Sequence, residues 1–288
     1  MSFFSWRAWL ELLRETVREW QKDDCLQLGA ALSYYTIFSL APLLVVTIAI
    51  VALVFGEQIA QGEVLDRVES LVGPDAAAAT REMIERASEP RAGILATIGG
   101  LAMTALGASG VFGQLQRALN KIWNVERASG RGVRGLVLDR LSAFSMLLLV
   151  GFLLMISLGA GAALAALSGR IAGFFPGADV ATRLADLVTS FAVTTLLFAL
   201  LFKVLPDVKV RWSDVIVGAA FTALLFALGR LAISTYLGRT SGASIYGAAS
   251  SLVVLLLWVY YSSQLLFFGA EFTQVYARRY GSLRKEEA

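Results

Sequence analysis

Residues Cys25 to Gly56 read CLQLGAALSYYTIFSLAPLLVVTIAIVALVFG, and no side chain in this stretch carries a charge. A helix needs about 20 mostly apolar residues to cross the hydrocarbon core of a bilayer. Lipid cannot satisfy the polar backbone groups of a loop or an open strand, so the stretch predicts a membrane-spanning helix. Five more uncharged runs follow it: Ala92–Gln116, Leu141–Gly169, Leu187–Phe202, Val215–Gly229 and Thr240–Ala270.

Six such runs predict an all-α polytopic membrane protein with six transmembrane helices. The fourth run is long enough only if it continues through Lys203, and the fifth only if it includes Arg230. We place the spans at about residues 28–55, 92–113, 141–168, 184–205, 214–237 and 245–272. The membrane bundle then covers residues 25–276, between an N-terminal amphipathic helix at 1–24 and a tail at 277–288. The first external loop is expected to be helical.

Composition excludes several classes of function. The chain has no histidine and one cysteine, which removes Ser-His-Asp catalysis, HExxH zinc sites and an intrachain disulfide. Its net charge of +3 is too small to indicate a nucleic-acid partner. We therefore expect a protein that is not an enzyme and has no catalytic residue, metal ligand or cofactor. Membrane lipids are the expected partners, and self-association into a homo-oligomer is left open.

The distribution of positive charge predicts the orientation. Of the 24 Lys and Arg residues other than Arg230, 17 fall on the side that carries both termini and 7 on the other. Cytoplasmic segments of membrane proteins are enriched in Lys and Arg, so both termini are expected in the cytoplasm. The helix predicted at 1–24 has an apolar stripe of Trp6, Leu10, Leu13, Val17 and Trp20. It either lies in the membrane interface or packs on the protein's own cytoplasmic segments.

Two groups of basic residues are candidate binding residues. Arg230 is embedded in the fifth span, where a charge is costly and tends to face a cavity or a partner. The alternative is that Arg230 extends its side chain to the outer interface. Arg117, Asn120 and Lys121 share one helix face at the end of the second span and could bind an anionic headgroup. The alternative there is simple anchoring by positive charge.

Further candidates lie on the first, second and sixth spans. Glu271 ends the last apolar run and could pair with Lys203 or Arg117, with Gln264 two turns before it. A transporter would enclose a cavity lined by Arg230, Tyr34, Gln264 and Glu271. Pro42 is expected to kink the first span. Gly107, Gly110 and Gly113 predict close helix packing, with a conduit or hinge as the alternative.

Several motifs, in order along the chain, resemble the YihY/BrkB family of bacterial inner-membrane proteins. They are AALSYYTIFSLAP at 30–42, GQLQRALNKIW at 113–123, LPD at 205–207 with VRW at 210–212 and GA at 218–219, YG at 246–247, LWVY at 257–260 and GAE at 269–271. The resemblance covers roughly Asp23 to Tyr280. It implies a six-helix protein of the plasma membrane for which a transport role is suspected. The family's former ribonuclease label does not suit a chain without histidine or a soluble domain.

These observations support two hypotheses about function. The first is a transporter or flippase-like protein for an amphipathic, anionic substrate such as a lipid. It draws on Arg230, on the basic side chains Arg117 and Lys121, on Pro42 and on the glycines of the second span. The second is a non-transporting membrane scaffold of the cell envelope. A filled bundle favours the scaffold, and a polar cavity favours the transporter.

Overall fold

The computed structural model describes residues 6–56, 110–125, 178–240 and 250–284, together with isolated positions between 62 and 82 and at 145 and 152. All regular elements in these ranges are α-helices, as predicted. They are α1 (Trp6–Lys22), α2 (Cys25–Phe55), α3 (110–122), α4 (Ala178–Val204), α5 (Trp212–Thr240) and α6 (Ser250–Arg279). Nothing described interrupts α2, which continues through Pro42.

Three of the described helices are apolar and long enough to cross a membrane. The qualifying segments are Leu187–Val204 in α4, Trp212–Gly229 in α5 and Val253–Arg279 in α6. They overlap the fourth, fifth and sixth predicted spans. α2 contributes a shorter apolar segment, Cys25–Leu40, among the residues described. Nearly all of the second predicted span and of the third, with most of the first external loop, lies outside the described residues, so the count of six stays a prediction.

α6 is the helix around which the others are arranged. It packs against α5, α2 and α1, and α5 also packs against α4. The α5–α6 crossing is close because small residues face bulkier ones: a Cβ atom at Gly218 would overlap Thr273, and one at Gly269 would overlap Thr222. Small residues drive helix association in lipid by letting the backbones approach. The same antiparallel pairing continues at Gly229, which lies against Leu265 and Tyr261.

The best-packed core lies at one end of the bundle, where α3, α4 and α6 finish and α5 begins. Leu119 and Ile122 of α3, Phe202 of α4, Val215 of α5 and Phe267 of α6 are all essentially inaccessible to solvent. By the charge distribution this is the predicted cytoplasmic end. The first turns of α2 reach the same core through Cys25.

α1 docks on the last two turns of α6, which is one of the two arrangements considered for it. The buried residues of α1 are Leu12 and Thr16, and the Trp9 ring stacks on Phe272 at a centroid distance of 6.1 Å. Glu11, Glu15 and Glu19 form ion pairs with Arg278 and Arg279. This charged contact turns the predicted apolar stripe partly outward, so that Trp6 and Val17 remain 76% and 41% exposed.

Candidate functional site

The junction between α1 and α2 brings acidic and thiol side chains against α6. Residues 23–24 form a tight turn in which Asp24 adopts a positive φ of 54°, a conformation that Asp and Asn tolerate better than most residues. The Asp23 amide donates to the Glu19 carbonyl at 2.9 Å, and the Leu28 amide donates to the Asp24 carbonyl at 3.1 Å. The turn thereby points Asp23 inward and leaves Asp24 exposed.

Asp23, Cys25 and Glu271 form a buried cluster at this junction, which we call the carboxyl–thiol cluster. Cys25 and Glu271 have no solvent exposure, and Asp23 has 6%. The Cys25 thiol donates to Glu271 Oε1 at 3.7 Å. The carboxyl groups of Asp23 and Glu271 lie within hydrogen-bonding reach of each other. Gln264, two turns earlier on α6, donates from Nε2 to the Cys25 carbonyl at 3.3 Å.

Positive charge lies near this cluster but is engaged elsewhere. Burial raises the pKa of Asp23, and the hydrogen bond with Glu271 and the charges of Lys22 and Lys121 oppose that shift. Lys22 Nζ binds Glu19 at 2.8 Å, and Lys121 Nζ binds Asp24 at 3.3 Å. Among the described residues, no Lys or Arg forms an ion pair with Asp23 or Glu271.

The expected ion pair of Glu271 with Lys203 or Arg117 is wrong. Lys203 Nζ donates to the Val210 carbonyl and lies 5.7 Å from the centre of the Trp212 ring. Arg117 donates from Nε and from its terminal nitrogen to Gln114 Oε1, at 3.1 and 2.8 Å. Lys203 and Arg117 therefore bind residues near them in sequence, and Glu271 faces Asp23 and Cys25 instead.

The three residues of the predicted headgroup site have different surroundings. Asn120 is 3% exposed and binds Asp207 twice: its Nδ2 donates to Asp207 Oδ2 at 3.0 Å, and its Oδ1 accepts from the Asp207 amide at 2.8 Å. This reciprocal pair ties α3 to the segment between α4 and α5. Arg117 and Lys121 are both exposed. Of the three, these two are the ones accessible to a headgroup.

Arg117 also adjoins an exposed aromatic face of α2. Its guanidinium carbon lies 5.6 Å from the centre of the Tyr35 ring, within the range of a cation–π contact. Tyr34 and Phe38 continue this face with 61% and 68% exposure and a centroid distance of 4.8 Å between their rings. Tyr34 is nine residues beyond Cys25 on α2, about 13 Å along the helix axis. It does not join Gln264 and Glu271 at the carboxyl–thiol cluster.

The remaining candidates fall into three groups. Gly110 packs on α2, where an added Cβ would lie 3.0 Å from Ser39 Oγ, whereas one at Gly113 would meet nothing within 4 Å. Gly107 lies outside the described residues. The side chains of Pro42 and Arg230 also lie outside the description, although both positions are helical. The cavity predicted around Arg230 therefore stays a prediction.

Sequence reasoning missed Asp23 and Cys25 as site residues and missed the α5–α6 crossing. A signal for the crossing is present, because Gly218 precedes Thr222 by four residues and Gly269 precedes Thr273 by the same spacing. The signal for Asp23 is weaker. Asp23 and Asp24 are adjacent carboxylates between a charged helix and an apolar helix. A two-residue turn there can leave only one of them in water.

The comparisons with known proteins agree with the all-helical membrane architecture. The family described as Virulence factor BrkB matches residues 16–288. The chain belongs to this family. It is 29% identical to a UPF0761 membrane protein of Psychrobacter over 92% of this chain and 48% of that protein. It is 28% identical to the UPF0761 membrane protein of Halorhodospira halophila, over 88% of this chain and 54% of that protein.

A UPF0761 membrane protein of Verminephrobacter eiseniae is 31% identical over 95% of this chain and 63% of its own length. The chain thus spans about half to two-thirds of the length of the curated relatives it matches. No solved structure matches it. The relatives' names state membrane location and no activity.

Proposed function

We propose that this BrkB-family chain is a flippase-like transporter for an amphipathic anion such as a lipid. It is proposed to act in the bacterial inner membrane, with both termini in the cytoplasm and without catalysing a chemical reaction. The observation that supports this best is the position of Arg117: an exposed guanidinium group adjoins the exposed aromatic face of α2. A cation beside a lipid-accessible apolar face suits a molecule with a negative headgroup and a hydrocarbon tail.

The charge of Arg117 is available to such a ligand. Both of its hydrogen bonds go to the neutral amide oxygen of Gln114, and no carboxylate in the described ranges forms an ion pair with it. A guanidinium group binds a phosphate or carboxylate through two parallel hydrogen bonds, which a single ammonium cannot do. Lys121 is a weaker candidate because its ammonium already binds Asp24. Asn120 is proposed here as a structural residue rather than a ligand.

The apolar part of the ligand would lie along Tyr34 and Phe38. These two side chains are one helical turn apart and both mostly exposed. Moving away from Arg117, they lead from the predicted cytoplasmic interface toward the bilayer interior. A lipid with its headgroup at Arg117 would therefore place its chains against this face. Arg230 remains a candidate for a second anion contact deeper in the membrane.

The test is a lipid-scrambling assay on the full chain in proteoliposomes. Fluorescent phosphatidylglycerol and phosphatidylcholine analogues would be followed by the fraction that an impermeant quencher reaches over time. We expect faster exchange of the anionic analogue, reduced about tenfold by Arg117→Gln. Arg211→Gln is the matched control, because it removes another exposed arginine at the same end of the bundle and should leave the rate unchanged.

The scaffold hypothesis remains the second candidate, and the tight packing of the described core favours it. The described helices meet in a filled cluster around Phe202, Phe267 and Leu119. If proteoliposomes with and without the protein exchange both analogues at the same slow rate, the transporter proposal fails and the scaffold is preferred. If the protein accelerates exchange of both analogues equally, the preference for an anionic substrate is rejected and the transporter proposal is kept.

A further inference from the structure

The carboxyl–thiol cluster contains two buried oxygens that lack a hydrogen-bond donor. Asp23 Oδ2 and Glu271 Oε2 are both inaccessible to solvent, and neither accepts a hydrogen bond from an N–H or O–H group in the part of the chain that the structure describes. Buried polar atoms in folded proteins are nearly always paired, so two such oxygens in one cluster require an explanation. Because the two carboxyl groups face each other, the donor that can satisfy both is a proton carried by the pair.

Electrostatics lead to the same result. Two carboxylates in contact cannot both ionise in a buried site without strong mutual repulsion, so they tend to share one proton. The positive groups that could offset two negative charges are held by other acids: Lys22 by Glu19, Lys121 by Asp24, and Arg278 by Glu15 and Glu19. Glu19 adds a further negative charge on the α1 side. The Cys25 thiol donates to the Glu271 oxygen that faces it, but it provides no positive charge.

We propose that Asp23 and Glu271 form a proton-binding site, which holds one exchangeable proton at the junction of α1 and α2 with α6. While the proton is bound, the pair carries a single negative charge and the junction stays packed on α6. When the proton leaves, two adjacent carboxylates repel each other, and the α1–α2 turn is driven away from α6. This site is independent of the headgroup contact at Arg117, so either proposal can fail without the other.

The position of the pair suits exchange with the water phase. Glu271 is seven residues before Arg278 on α6, about 10 Å along the helix axis from the exposed end. Asp23 is in the turn, adjacent to the exposed Asp24. A proton therefore needs only a small opening of the turn to reach water. Ionisable residues at such depth in membrane proteins commonly take part in proton relays. The described residues contain no group of three His, Cys, Asp or Glu side chains suited to a metal ion.

Infrared spectroscopy of the full chain in nanodiscs tests the proposal directly, because a protonated carboxyl group has a carbonyl band distinct from that of a carboxylate. We expect a buried carboxylic-acid band at neutral pH that disappears as pH rises. Glu271→Gln should abolish this band. Asp23→Asn should keep it but move its midpoint to lower pH, since Glu271 then titrates without a neighbouring charge.

Asp24→Asn is the control, since it removes the adjacent exposed carboxylate at a backbone position that asparagine tolerates well. It should keep the band, with at most a small shift of its midpoint to lower pH, because Lys121 is released from Asp24. The proposal is overturned if the unmodified protein lacks the band at neutral pH, or if Asp24→Asn changes the band as much as Glu271→Gln does. Stabilisation by sodium at constant ionic strength, with no acid band, would replace the proton by a bound cation. Absence of the band from the unmodified protein overturns the proposal even if a variant fails to fold.

Discussion

Thr273 on α6 occupies the space that the missing side chain of Gly218 leaves on α5, and Thr222 on α5 occupies the corresponding space at Gly269 on α6. Each threonine hydroxyl donates to the carbonyl four residues earlier on its own helix, at 2.7 Å in both cases. Neither threonine therefore brings an unsatisfied hydroxyl into the interface, and the two helices interact there through close packing of complementary surfaces. Both pairs are fully buried, which makes this crossing a rigid connection between the fifth and sixth predicted spans.

Gly218→Ala should destabilise the α5–α6 crossing, because the added methyl group overlaps Thr273 and the two helices must separate. Overpacking a well-filled core costs about 1–3 kcal/mol. Unfolding by sodium dodecyl sulfate, followed by circular dichroism, measures the change. Gly113→Ala is the matched control on α3, since nothing lies near its new Cβ atom and alanine favours helix by up to about 1 kcal/mol. Equal stability of the two variants would refute the tight crossing.

Sequence patterns predicted the helical class and the three described spans because length and apolar composition are local properties. They did not predict which side chains meet, since that depends on how the helices are turned about their axes. Glu271 illustrates the difference: its depth on α6 was predictable, but its partner was assigned to a cation. The partner is Asp23, which lies in the turn that joins α1 to α2 and faces inward there. The apolar stripe of α1 packs only in part, through Leu13 and Trp20, because Glu11, Glu15 and Glu19 pair with Arg278 and Arg279.

Asn120→Ala should lower stability without altering lipid preference. The substitution removes two hydrogen bonds to Asp207, which is itself exposed to water. A hydrogen bond of this kind contributes about 0.5–1.5 kcal/mol net. Arg117→Gln should do the reverse, reducing retention of anionic lipid with little change in stability. Detergent unfolding and native mass spectrometry with anionic and zwitterionic lipids separate the two effects. If Asn120→Ala is fully stable but no longer retains anionic lipid, Asn120 contacts the headgroup and its assignment as a structural residue is wrong.

Charge reversal at Arg279 should loosen α1 from α6. Arg279 pairs with Glu11 and Glu15, and the side chains are partly exposed, so the expected loss is below about 1 kcal/mol. Cys25, the chain's single cysteine and fully buried, reports the loosening by its rate of alkylation. Arg279→Glu should label faster than the unmodified protein, and adding Glu15→Arg should slow the reaction again. Arg284→Glu, an exposed arginine nearby, serves as the control. Equal labelling of all variants would show that the ion pairs do not hold α1 in place.

Two acids at the α1–α2 junction should give opposite pH dependences. The hydrogen bond from Lys22 lowers the pKa of Glu19, so its stabilising effect is present above the unfolded pKa of about 4.3 and is lost as pH falls through the folded value. Burial raises the pKa of Asp23, so folding is favoured while Asp23 is protonated and stability decreases as pH rises from about 3.9 through the folded value. The melting temperature of Glu19→Gln should therefore fall less toward acid pH than that of the unmodified protein. The melting temperature of Asp23→Asn should fall less as pH rises, since only Glu271 of the pair then titrates. Identical profiles for the two variants would contradict the assignment.

Orientation can be tested with two single cysteines in a Cys25→Ser background, in which serine keeps a hydrogen-bond donor toward Glu271. Ala78 is exposed in the predicted external loop, and Arg284 is exposed just after α6. The excess of Lys and Arg on the side of the termini predicts that an impermeant maleimide outside intact spheroplasts labels Ala78→Cys and not Arg284→Cys. Permeabilised spheroplasts should label both, which controls for burial of either thiol. Labelling at 284 without labelling at 78 in intact spheroplasts would reverse the orientation and move Arg117 to the outer surface.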